Sequence, residues 1–208
     1  MPGLKAVALN CTLKRSGGER SSTDKMIDLL AKHFAEHDVE LTGTVRVADF
    51  NVLPGVTSDE GEGDQWPLIR RKIMAADILI LGTPVWMGQM SSIAKRVTER
   101  MDAFLSETDD ASRTPAYGKV AVCAIVGNED GAHHITATVF QALNDVGWTI
   151  PAAGACYWVG EAMGKVDFKD LKETPKPVEE TAKMLASNAA HLATMLKGAS
   201  YPGMKPSQ

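Results

Sequence analysis

The sequence predicts an α/β fold, a doubly wound, five-stranded parallel sheet with helices on both faces. Three observations carry this reading. Short apolar runs alternate with segments of helical period, giving five strands and five helices in order. The plainest runs are continuously apolar, as strands covered on both faces are. Five strands in a chain of 208 residues fit the order 2-1-3-4-5 better than a six-stranded dinucleotide-binding sheet.

Leu4–Leu9 (LKAVAL) is too short for a helix and reads as the first buried strand. Ser22–His37 repeats Met26, Leu29, Leu30 and Phe34 at helical spacing, with Ser21 or Ser22 placed to cap its first turn. Val39–Val47 alternates weakly and reads as a second strand; Asp49–Asp64, rich in Gly, Pro and acids, reads as a loop. Gln65–Ala75 is a short helix with Pro67 near its start. Asp77–Gly82 (DILILG) is the third strand and Thr83–Ser92 the loop after it. Ile93–Leu105 is a helix with Val97, Met101 and Phe104 on one side. Lys119–Val126 is a strand, Gly127–Gly131 a polar turn, and Ile135–Val146 a helix closed by Gly147. The fifth strand lies within Trp148–Tyr157. Val159–Pro177 is polar, without a period, and is expected to be a lid, an oligomer contact or a solvated loop. Val178–Lys197 carries a stripe of Ala182, Leu185, Ala189, Leu192 and Leu196. Residues 1–197 are thus expected to form one domain, and 198–208 a flexible tail.

Composition narrows the function. A net charge of −4 argues against a nucleic-acid partner. No apolar stretch approaches the roughly 18 residues of a membrane span. MPGLKAVAL does not read as a secretory signal, so a cytoplasmic location is expected. Cys11, Cys123 and Cys156 are far apart and form neither a disulfide pattern nor a zinc pattern. They read as buried small hydrophobes, although Cys11 enters the first loop.

In an open α/β sheet, ligands bind beyond the carboxyl ends of the strands, where the winding reverses. With the order above, that point collects three loops. The first, LNCTLKRSGGERSST, leaves the first strand and opens the first helix. A helix N-terminus offers free amides and a positive dipole end to phosphate. Thr12, Ser21, Ser22 and Thr23 add hydroxyls, and Lys14, Arg15 or Arg20 adds a cation. Neither GxxxxGK[ST] nor GxGxxG is present. The second loop, TPVWMGQMSS, has an extended Thr83-Pro84, a permissive Gly88, and Trp86 and Met87 as apolar surface for a flat ligand. The third, GNEDGAHH, offers Asn128 and loop amides to the polar edge of a heterocycle. Glu129 and Asp130 alone make a weak metal pair, and His133 and His134 point different ways, so no metal site is expected.

Together these loops resemble the NAD(P)H-dependent FMN reductases of the flavodoxin-like superfamily, over roughly Leu4–Tyr157. The family's phosphate loop G-S-x-R-x(n)-S-x-T matches C-T-L-K…S-S-T, with Thr12 in the Ser place, Lys14 in the Arg place, and Ser21, Ser22 and Thr23 as closing hydroxyls. Its ring loop matches Pro84, Val85, Trp86, Met87 and Gly88 through Ser91; its third loop matches Gly127, Asn128, Glu129, Asp130 and Gly131. The resemblance implies bound FMN, NADPH or NADH as co-substrate, a quinone, flavin or other small acceptor, and a homodimer or homotetramer. Hydride transfer to a flavin needs stacking room more than a protein acid or base, so no catalytic side chain is expected. Amides at Trp86–Gly88 or at Asn128 are expected to face the negative charge that gathers on a reduced ring. A flavodoxin-type one-electron carrier and a non-enzymatic FMN-binding module share the same sheet and are the alternatives.

Overall fold

The computed structural model describes residues 3–162 and 164–204. Its strands are β1 (Leu4–Asn10), β2 (Val39–Arg46), β3 (Ile78–Trp86), β4 (Gln89–Met90), β5 (Val120–Gly127) and β6 (Ala155–Val159). Its helices are α1 (Ser22–Ala35), α2 (Trp66–Met74), α3 (Ser92–Met101), α4 (Ala132–Asp145) and α5 (Lys176–Gly198). The sheet order is β2-β1-β3-β5-β6, with all neighbours on that path parallel; two-residue β4 pairs antiparallel with β3 alone. Setting β4 aside, this is the expected 2-1-3-4-5 winding, and the fold is flavodoxin-like.

The continuous apolar runs follow from this layering. Successive strand residues face opposite sides, and both sides are covered. Val7, Leu9, Leu79, Leu81, Cys123 and Ile125 pack with Trp66, Ile69, Val97, Met101, Ile135 and Val139 of α2, α3 and α4. Ala6, Ala8, Ile78, Ile80, Val122 and Ala124 pack with Met26, Ile27, Leu30, Leu185 and Ala189 of α1 and α5. Three of the alternating positions on this second face are alanine, which lets α1 and α5 lie close to the sheet.

Three expected boundaries move. Thr83–Ser92 is not one loop: β3 runs on to Trp86, turns at Met87 and Gly88 (φ 52° and 72°), and returns as β4. Pairing with β1 ends at Gly82 while pairing with β5 continues to Pro84, so Pro84 sits where one edge of the strand is open. The fifth strand shortens to Ala155–Val159, because Pro151 and the left-handed Ala153 (φ 55°) interrupt the ladder after an isolated bridge at Thr149. Helix α4 starts three residues early, at Ala132, with Gly131 (φ 141°) as its N-cap.

The described residues of Val159–Pro177 are anchored to the body. They include a 3-10 turn, Phe168–Asp170, whose Phe168 is fully buried against Trp158. After α5, Tyr201 packs edge-on to Tyr117 and the Met204 amide donates to the Ala111 carbonyl; residues 205–208 of the expected tail lie outside the described residues. Among the described residues no helix is long and apolar enough to cross a membrane.

Candidate functional site

A cleft of about 480 Å³ lies at the carboxyl ends of β1, β3 and β5. Of the fifteen residues singled out from sequence, Thr12, Lys14, Ser21, Ser22, Thr23, Pro84, Val85, Trp86, Met87, Gly127, Asn128 and Glu129 line it; Gly88, Asp130 and Gly131 do not.

One end is built by the turn between β1 and α1. Buried Asn10 organises it: its Nδ2 donates to Asp24 Oδ1 (2.5 Å) and Ser21 Oγ (3.3 Å), and its Oδ1 accepts the Thr12 amide (3.0 Å). Ser21 and Asp24 form a reciprocal capping box at the start of α1. Arg46, from β2, donates to Asp24 Oδ2 (2.5 Å) and to the Lys14 carbonyl (3.3 Å). Burial pushes the Asp24 carboxyl up, but its bonds from Ser21 and Arg46 outweigh this and hold it below the usual carboxylate range. Ser16 is tied to Asp49 through its amide (2.8 Å) and its hydroxyl. The turn is therefore held from behind by Asn10, Asp24, Arg46 and Asp49. Sequence reading did not find these anchors, since each acts from outside the motif or behind it.

The hydroxyl of Ser21 is spent on the cap, donating to Asp24 (2.9 Å). Ser22 Oγ accepts the Lys169 amide (3.2 Å). The Asp24 amide is taken by the Ser21 cap (3.1 Å), so what remains toward the cleft is Thr12, Thr23 and the Ser22 and Thr23 amides that open α1. The three basic residues of the turn separate. Lys14 lines the cleft; Arg20 pairs with Asp28; Arg15 faces another hollow beside Phe50 and Arg96.

The other end is apolar. Trp86 is 54% exposed and Met87 89% exposed at the tip of the β3–β4 hairpin, with Val85, Val126 and Trp158 deeper. Here two expectations are corrected. The Met87 and Gly88 amides are not free for a ligand, because the Glu129 carboxylate accepts both (3.0 and 3.2 Å). The Asn128 amide nitrogen donates to Asp167 (2.9 Å) and the Gly164 carbonyl (3.3 Å), so its side chain anchors the segment after β6. Gly131 shows why the third loop is glycine-rich: a Cβ there would stand 2.7 Å from the Gly88 carbonyl oxygen. His133 and His134 are exposed and bond Tyr157 and Gln89. Among the described residues no group of His, Cys, Asp or Glu could hold a metal ion.

Val126, Trp158, Asp167 and Lys169 also line the cleft and were missed. Trp158 had a signal in its place at the end of the last strand. Lys169 had none, since it sits in an aperiodic segment. Its ammonium contacts Glu19 (2.7 Å) and Asp170 (2.9 Å), bonds that raise its pKa and, with Lys14, lower that of Glu19. All three cysteines are free and buried; burial pushes the thiols up, Cys156 to about 12, which leaves them without thiolate character near neutral pH.

A parallel sheet wound about a crevice, with amides at one end and aromatic surface at the other, defines the class: flavodoxin-like proteins. The NADPH-dependent FMN reductase pattern matches residues 4–164, and the chain belongs to that family. It is 33% identical over 208 residues to the 8-demethyl-8-aminoriboflavin-5'-phosphate synthase of Streptomyces davaonensis, covering 95% of this chain and 80% of that one. It superposes on the crystal structure of RosB with bound 8-demethyl-8-formylriboflavin-5'-phosphate with a TM-score of 0.85, at 31% identity, covering 96% of this chain and 82% of that one. It is also 35% identical over 202 residues to a protein of Mycobacterium bovis named divalent metal cation transporter MntH; this covers 94% of the chain but spans only 29% of that relative's length.

Proposed function

We propose that the chain is an FMN-dependent oxidoreductase, passing hydride from NADPH or NADH through bound FMN to a quinone, a free flavin or another small acceptor. The observation that carries this is the two-ended cleft. First-turn amides, Thr12, Thr23 and lysines suit a phosphate monoester, and Val85, Trp86, Met87 and Trp158 suit a flat ring. Bound FMN supplies the hydride chemistry; the chain binds and orients it. Exposed Trp86 and Met87 leave an apolar rim at the mouth for a nicotinamide or an acceptor. Assembly as a homodimer or homotetramer belongs to the same reading.

The likeness to the synthase and to RosB favours a second reading, in which the flavin phosphate is itself the substrate. Anaerobic stopped-flow mixing of the FMN-loaded protein with NADPH and with NADH tests the first. Bleaching of the flavin band, with FMN of unchanged mass recovered afterwards, is the expected outcome. Failure to bleach with either nucleotide counts against it, and a changed flavin mass moves the case to the second reading.

A further inference from the structure

We propose that Lys169 is a phosphate-binding cation of this cleft, held in reserve by Glu19 until a flavin phosphate displaces that carboxylate. This rests on the flavin-phosphate reading above and names a residue outside the first loop.

Placement is the first argument. The Lys169 backbone amide is bonded to Ser22 Oγ (3.2 Å), Phe168 beside it is fully buried, and Lys25 Nζ bonds the Leu171 carbonyl (2.7 Å). The 168–171 segment is thereby pinned across the N-terminal turn of α1, where a phosphate would be held. The Lys169 side chain is 12% exposed, against 53% for Lys14. Of the two lysines on the cleft, it is the one already ordered, so it loses less side-chain freedom when a ligand arrives.

Charge is the second argument. Lys14 and Lys169 share this end with Glu19, Asp167 and Asp170. Two cations against three carboxylates oppose the pull of the α1 N-terminus on a phosphate monoester, which carries about −1.5 to −2 at neutral pH. One carboxylate has to leave. Asp167 is engaged with Asn128, and Asp170 lies beside Lys169 in the same 3-10 turn. Glu19 is 63% exposed and has only the two lysines as partners among the described residues. It can rotate into water, freeing the Lys14 ammonium and one donor of Lys169, whose ammonium stays bonded to Asp170 (2.9–3.0 Å). The Glu19 side of the pair stands in water, where screening weakens the attraction, and Lys169 keeps Asp170 as a partner, so opening it costs little.

The experiment is titration of flavin-free protein with FMN and with riboflavin, followed by flavin fluorescence. Wild type is expected to prefer FMN. Lys169→Met is expected to weaken FMN roughly tenfold and to leave riboflavin unchanged. Glu19→Gln is expected to tighten FMN about threefold, again with riboflavin unchanged, because a competitor and a repelling charge are gone. A K169M protein that keeps the full FMN preference, or an E19Q protein that binds FMN more weakly, overturns the proposal while leaving the cleft a flavin-phosphate site. Wild type that binds neither flavin, or both equally, overturns the underlying reading instead. If K169M is unstable, the sign of the E19Q effect decides alone.

Discussion

Two loops of this protein are each joined to the body by a cation and a carboxylate, and the two joints differ in kind. In the 49–64 loop, Arg100 of α3 meets Asp64 at 2.7 Å with both side chains fully buried. Its guanidinium also donates to the Leu53 and Thr57 carbonyls (2.9–3.0 Å) and lies over Trp66. At the cleft, Lys169 meets Glu19 at 2.7 Å, with Glu19 largely in water. The distances match, yet the consequences do not. The buried pair has every partner fixed by protein, so breaking it strands a charge. The cleft pair can exchange its partner for water or for a ligand at small cost. Geometry alone does not separate a weld from a latch; solvent access and the surrounding donors do.

The largest effect that tests this contrast is loss of the weld. Arg100→Met is expected to destabilise the fold by about 3–5 kcal/mol in urea unfolding, since Asp64 is left buried and unpaired. A loss under about 1 kcal/mol would erase the distinction. Acid titration comes next. Burial pushes the Asp64 carboxyl up, but the Arg100 bond and the amides of Glu60, Trp66 and Leu53 overcome this and hold it far below the usual range. The folded carboxyl thus titrates below the unfolded one, near pH 4. Its contribution is full above about pH 5 and is lost as the pH falls below 4. Thermal melts from neutral to acid pH are expected to show that decline, with a shallower one in R100M. The smallest effect is at the latch: Lys169→Met is expected to change stability by less than about 1 kcal/mol while altering FMN affinity. A large loss of stability there would make Lys169 a structural residue.

Legibility in the sequence divided along similar lines. Strands β1, β3 and β5 were readable because burial on two faces forces unbroken apolar runs, as in DILILG and KVAVCAIV. Helix α5 was readable from its stripe, in which Ala182, Leu185, Ala189 and Leu196 are buried. The β1–α1 turn was readable as part of the cleft because helix entry, hydroxyls and position in the winding coincide. Long-range partners were not. Nothing near Asn10 or Lys14 announces Arg46, and nothing near Trp86 announces that Glu129 takes the hairpin amides, 42 and 41 positions away. Lys169 was hidden in a segment held by single contacts, to Ser22, Glu19 and Asn128's partner Asp167, and not by a repeating pattern. The β3 extension was missed because Pro84 reads as a breaker unless the end of β1 pairing is known.

The meeting of Gly88 and Gly131 bears on which parts of the rim can change. The two loops at the ring end touch backbone to backbone, with no room for a Cβ at Gly131. The shape of the rim is thus set by atoms that every amino acid shares, provided the glycine stays. Trp86 and Met87, which project outward from it, can be exchanged without moving the wall they stand on. Side-chain chemistry at the mouth of the cleft can thus change through Trp86 and Met87 while the backbone outline of the rim stays constant.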